Sequence, residues 1–185
     1  RVVRRVRAGE RADTERAEEL PTGPRAAKGR VGLLVMRSYI LARNTRHYDG
    51  VIRALEARGL GVVPAFASGL DARPAIERYF MRDGKPAIDA LVSLTGFSLV
   101  GGPAYNDAEN ATRVLGTLDV PYLAAHAVEF QSLQDWERSD RGLTPVEATM
   151  MVAIPELDGA TCPTIFGGRS AAAAGERAGD LACHD

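Results

Sequence analysis

Asp89–Asp107 reads DALVSLTGFSLVGGPAYND, and how this stretch is parsed decides the fold. Ala90–Leu94 is a short apolar run with the composition of a strand buried on both faces. The chain then breaks at Thr95-Gly96, adds a second apolar patch at Phe97–Val100, and turns at Gly101-Gly102-Pro103. A polar segment able to start a helix follows. In a parallel α/β sheet, ligands sit in the crevice beyond the carboxyl ends of the strands. A strand ending in Thr, Gly, Ser and a Gly-Gly-Pro loop is expected to form one wall of such a crevice. Phe97 and Leu99 either pack beneath that loop or floor an apolar site, and packing is the more ordinary fate of large apolar residues.

The 185 residues suffice for one domain with a sizeable core. Net charge is -1, and the apolar and charged fractions are those of an ordinary globular protein. That balance gives no general drive toward nucleic acid or anionic lipid. No apolar run reaches the roughly 18 residues of a membrane span. The Arg-rich start has no apolar core of a secretory signal. Two cysteines, Cys162 and Cys183, make neither a disulfide framework nor a metal knuckle. A reducing, cytoplasmic location is expected. A chain that opens on Arg1 is expected to be part of something longer.

Outward from the central stretch, the same alternation recurs. Val31–Met36 (VGLLVM) reads as the first strand, Arg37–Arg43 as a loop, and Asn44 or Thr45 as an N-cap. A helix over about His47–Arg58 places Val51, Ile52 and Leu55 on one face and stops at Gly59. Leu60–Ala67 is the second strand, and its Pro64 argues for a sheet edge or a strand end. Pro74–Met81 is a short helix closed by Asp83-Gly84. A helix over about Asn106–Leu118 follows the Gly-Gly-Pro loop, and Val120–Ala125 is a fourth strand ending at His126. Glu129–Arg138 reads as a helix. Thr144-Pro145-Val146-Glu147 has the capping-box pattern of a helix start, and that helix should stop before Pro155. Thr164–Phe166 is a short strand. Residues 1–30 read as a charged, flexible arm, residues 31–170 as the α/β domain, and residues 171–185 as a severed tail with no buried face. This alternation predicts a flavodoxin-like or Rossmann-like doubly wound parallel sheet with flanking helices.

Neither GxGxxG nor GxxxxGK[ST] occurs, so the dinucleotide fingerprint and the P-loop are both missing. Among the histidines, His126 is placed to line the crevice, where a neutral imidazole can ligate metal or carry protons. A structural histidine is the plainer alternative. The carboxylates expected near the crevice are Asp107, Glu129, Glu156 and Asp158. Glu156 and Asp158 lie in IPELDG, and two acids in one loop suit a hard divalent cation or acid/base work. Asp158-Gly159 is equally a common turn dipeptide.

VSLTGFSLVGGPAYND, LDVPYLAAHAVEFQSLQDW, GLTPVEATMMVAIPELDG and IFGGR follow one another in this chain. Together with YDGVIRALEARGLGVVPAFASGLD, they resemble the large porphyrin-binding H subunits of magnesium chelatase over about Gly29–Ser170. The large subunit of aerobic cobaltochelatase is similar in plan but matches LTGFSLVGGPA less well. The resemblance implies a reaction in which Mg²⁺, the substrate metal, enters protoporphyrin IX. ATP hydrolysis is then the work of separate AAA+ subunits, I and D, and the remainder of the H subunit is a further partner. Beside the candidates read from the residues themselves, Asp158 as a second metal ligand and His126 as a second catalytic group, the resemblance implies Glu156 as base or metal-delivery ligand. It also implies porphyrin contact at Phe97, Leu99, Gly101 and Gly102. The family's H subunits are far longer, so this chain alone is expected to be inactive. A scaffold or docking module, and an unrelated flavodoxin-like ligand-binding domain, are the competing readings.

Overall fold

The computed structural model describes residues 28–67, 69–102, 105–170 and 181–183. The expected arm, residues 1–30, lies outside the described residues except for Lys28, Gly29 and Arg30, of which the last two already belong to the first strand.

The described elements run in chain order as follows. Strand β1 (Gly29–Leu34) leads into helix α1 (Arg37–Ala42), and helix α2 (Arg46–Ala57) into strand β2 (Leu60–Ala65). Helix α3 (Arg73–Tyr79) is followed by a small ribbon, β3 (Met81–Arg82) and β4 (Lys85–Pro86), and then by β5 (Ala90–Ser93). Helix α4 (Ala108–Leu118), strand β6 (Tyr122–Ser132) and helix α5 (Leu133–Arg138) come next. Helix α6 (Pro145–Glu147), a π-helical turn (Ala148–Ala153) and helix α7 (Ile154–Leu157) form one continuous rod, followed by β7 (Thr161–Arg169) and β8 (Leu181–Cys183).

The main sheet has the order β2-β1-β5-β6-β7-β8. Its first five members are parallel, so in chain order they stand 2-1-3-4-5, the flavodoxin-like arrangement. The open edge is β2, where Pro64 sits. The carbonyls of Gly59 and Ala65 accept from Lys28 and Val35, so odd-numbered residues of this strand turn toward β1. Even-numbered ones turn outward, and the missing N–H of Pro64 costs nothing there.

Helix α2 covers one face, where Tyr48 and Ile52 pack on Leu33, Val35, Val62, Leu94 and Phe166. Helices α3 and α4 cover the other, where Ala75, Ile76, Ala111 and Leu118 meet Leu34, Phe80, Leu91 and Leu99. Burial of both sheet faces explains why β1 and β5 read as continuous apolar runs.

Four expectations need correction. Arg37–Ala42 is helical, because Arg43 closes a turn in the left-handed region at φ 59. Strand β6 is longer than expected and takes in Glu129–Ser132, so His126 lies in mid-strand and not at its end. Register shifts along the β6–β7 pair let the apolar AVEF continuation stay hydrogen-bonded. The helix after Thr144 runs through Pro155 instead of stopping before it. Its π-helical turn changes the backbone pairing just ahead of Pro155, where an α-helical N–H is missing. Finally, Leu181–Cys183 is not a loose tail: it pairs antiparallel with β7, and Leu181 is buried. The glycines of IFGGR allow this. A side chain at Gly167 would strike the Ala182 carbonyl, and one at Gly168 would lie 2.6 Å from the Val128 carbonyl.

Candidate functional site: a crevice at the reversal of strand order

Strand order reverses between β1 and β5, and the loops leaving these two strands diverge to opposite faces. They leave a cavity of about 320 Å³ beyond the carboxyl ends of β1, β2 and β5. Its walls come from Leu34–Ser38, from Ala67, Gly69, Leu70 and Ala72, and from Thr95 and Phe97–Leu99. Leu41 and Leu70 stand at its margin and remain 58% and 55% exposed.

The loop after β5 is built around one carboxylate. Asp158, 1% exposed, accepts from the Leu99 N–H at 2.7 Å, the Ser98 hydroxyl at 3.1 Å and the Asn106 amide at 2.8 Å. Backbone bonds add to this anchor: Ala72 N–H donates to Leu99, Gly101 to Leu70, and Asp107 to Val100. Leu99 is both buried core and cavity wall, whereas Phe97 is half-exposed and presents its ring to the cavity. Gly101 has φ +111, and a side chain there would strike the Tyr105 carbonyl. Gly102 has φ +78 and faces Leu70. Both glycines are required by the turn itself, and neither lines the cavity.

The two acids of IPELDG go to different environments. Glu156 is exposed in the first turn of α7, while Asp158 is buried and spent on the loop. Among the described residues, no three of His, Cys, Asp and Glu gather closely enough to hold a metal ion. Asp107 caps α4 by accepting from the Asn110 N–H, and its bonds to Asn110 hold its carboxyl below the usual range. Glu129 is half-buried and bonds the Tyr39 hydroxyl; burial first, then this carboxylate, pushes the phenol up.

His126 is 1% exposed, and neither ring nitrogen has a hydrogen-bond partner among the described residues. Burial pushes its pKa down to about 4, so the imidazole is neutral. A Cβ built at Gly96 would lie 3.8 Å from its Nδ1, which places the ring directly behind the loop after β5. His47 has the same properties in another setting. It is wholly buried and has no hydrogen-bond partner among the described residues, with its pKa pushed down to about 4 by burial, inside an aromatic cluster of Tyr39, Tyr48 and Phe166. Sequence reasoning placed His47 at a helix start and missed this cluster. The signal available was Tyr48 and Ile52 four apart, which puts His47 beside the buried stripe. Ser98 and Asn106 were also missed, because nothing local marks them as partners of a carboxylate more than 50 residues away.

Fold and crevice together define a doubly wound α/β domain with a cavity at its topological switch point. The CobN/Magnesium Chelatase family model matches residues 6–183, and the chain belongs to that family. It is 62% identical over 146 residues to the magnesium-chelatase H subunit of Cereibacter sphaeroides, covering 79% of this chain and 12% of that protein. It is 44% identical over 163 residues to the chloroplastic magnesium-chelatase ChlH subunit of Oryza sativa subsp. japonica, covering 87% of this chain and 11% of that one. The aerobic cobaltochelatase CobN subunit of a Sinorhizobium species is 31% identical over 129 residues, covering 70% of this chain and 10% of that one. In fold, the chain is similar to the catalytic subunit of cobaltochelatase from Mycobacterium tuberculosis. The TM-score is 0.66 at 24% identity, covering 89% of this chain and 14% of that one. The chain thus spans about 12% of the length of the H subunits it matches best among these. No helix among the described residues is long and apolar enough to cross a membrane.

Proposed function

We propose that this chain is a portion of the porphyrin-binding H subunit of a magnesium chelatase, acting in chlorophyll or bacteriochlorophyll synthesis. The observation that carries this reading is the 62% identity to a magnesium-chelatase H subunit, twice the identity to the cobaltochelatase relative. In the intact assembly Mg²⁺ enters protoporphyrin IX as substrate. Two pyrrole N–H protons leave, and a cation that dehydrates reluctantly must shed water. ATP hydrolysis falls to the I and D partner subunits, a division with which the missing P-loop of this chain agrees. The cytoplasm is the compartment for this work.

Phe97 offers an apolar ring to one edge of the macrocycle, with Leu99 beneath it and the Gly101-Gly102 turn holding the loop's shape. Glu156 is the solvent-facing carboxylate that can take a proton or pass on a metal ion. Asp158 supports the loop and His126 lies behind it. Titrating the full-length subunit with deuteroporphyrin, followed by tryptophan quenching, tests the reading. Saturable binding is expected, and its absence would overturn it.

The scaffold reading draws on the burial of Asp158 and the lack of a three-group metal cluster among the described residues. Glu156→Gln in the full-length subunit separates the two. A loss of insertion of at least about tenfold with porphyrin binding retained supports a working carboxylate. An unaltered rate supports a scaffold.

A further inference from the structure

We propose that Thr95–Phe97 is a flap over His126, and that lifting it brings the imidazole to the crevice as a proton acceptor. The inference rests on the reading just given and adds how access to this residue is controlled.

Three observations converge on it. A buried polar group without a partner is costly, so an imidazole with two such nitrogens calls for a state in which it is paired. Its cover is thin on one side. Gly96, at φ +78, stands against it there: a Cβ on Gly96 would lie 3.8 Å from Nδ1, and the glycine carries no side chain to fill that space. The cover also has fixed ends and a loosely held middle. Leu94 is tied to the Leu34 carbonyl, and Ser98–Val100 are buried and bound to Asp158 and to residues 70–72. Between them Thr95, Gly96 and Phe97 are only half-buried. They are held by a 2.9 Å bond between the Ser93 and Thr95 hydroxyls and a 3.4 Å bond from Thr95 to the Phe97 carbonyl. Phe97 and Thr95 line the cavity, so whatever fills the crevice pushes on the flap.

With the flap raised, a pyrrole N–H proton passes to an imidazole nitrogen. The electron pair stays on the pyrrole nitrogen for Mg²⁺, and the imidazolium returns its proton to water.

His47 provides an internal control, since it is equally buried and unpartnered but has aromatic rings around it and no flap. The experiment is labelling of the full-length subunit with diethyl pyrocarbonate, read by peptide mass. His126 is expected to label several-fold faster than His47. Thr95→Ala, which removes both flap bonds, is expected to speed His126 labelling further and leave His47 unmoved. Phe97→Ala should do the same by a different route. A common slow rate for both histidines, moved together by each variant, would overturn the flap. His126→Gln is expected to lower kcat for insertion at least tenfold with little change in KM for porphyrin, and an unaltered kcat would remove the proton-acceptor role. If the full-length subunit binds no porphyrin, the functional reading fails while the labelling result stands on its own.

Discussion

Asp158 was legible in the sequence only as an acid beside a glycine, a pattern that fits a metal ligand or a turn. Its partners, Ser98, Leu99 and Asn106, are contributed by tertiary packing that no local spacing reports. Asp158→Ala strands the Leu99 N–H in a buried setting and leaves Ser98 and Asn106 only their bonds to the Val100 carbonyl and to each other, at a cost of about 2 kcal/mol. Urea unfolding of the variant against the parent checks this through the shift in midpoint. The two buried histidines yield a second prediction. Each stays neutral in the fold down to about pH 4, while the unfolded chain protonates near 6.5. Between those values the unfolded state binds more protons, so stability is full above about pH 6.5 and falls as pH is lowered. Each histidine contributes a slope approaching about 1.4 kcal/mol per pH unit in that window. Unfolding free energies at several pH values between 7.5 and 4.5 measure the slope, and His47→Leu should remove about half of the part due to the two histidines.

At the scale of elements, most of the main-sheet strands and the helices α2, α3 and α4 could be read directly, because burial on both sheet faces writes long apolar runs. Pro64 marks β2 as an edge strand by its chemistry alone. Pro64→Ala is expected to lower stability by about 1 kcal/mol, through lost ring packing and a freer unfolded chain and not through the sheet, since the restored N–H points outward, and thermal melting checks it. Less legible were the elements whose existence depends on neighbours far along the chain. The length of β6 depends on its pairing with β7, and β8 exists only because β7 offers an edge beside two glycines. Gly168→Val should therefore break the β6–β7–β8 contact. The expected loss is at least about 2 kcal/mol, read by urea unfolding, with amide exchange rising first at Leu181–Cys183.

For the whole molecule, a cavity of about 320 Å³ is at the lower limit of ligand sites, and a tetrapyrrole is larger than it can enclose. The 185-residue chain is expected to bind deuteroporphyrin at least tenfold more weakly than the full-length subunit, as parallel quenching titrations would show. That expectation agrees with a chain spanning about 12% of its H-subunit relatives. The rod from Thr144 to Asp158 carries the remaining consequence. At one end Glu147 is wholly buried, closing the capping box with Thr144 and accepting from Gln131 of β6. At the other end Asp158 grips the crevice loop. The rod is thus a strut clamped at both ends, and the π-helical turn between the clamps sets its length and phase. Removing a single residue there would shorten it by about 1.5 Å and turn one end about 100° against the other. Both clamps could not then stay closed. Residue count in this segment is therefore a mechanical specification, more tightly constrained than the identity of its exposed side chains.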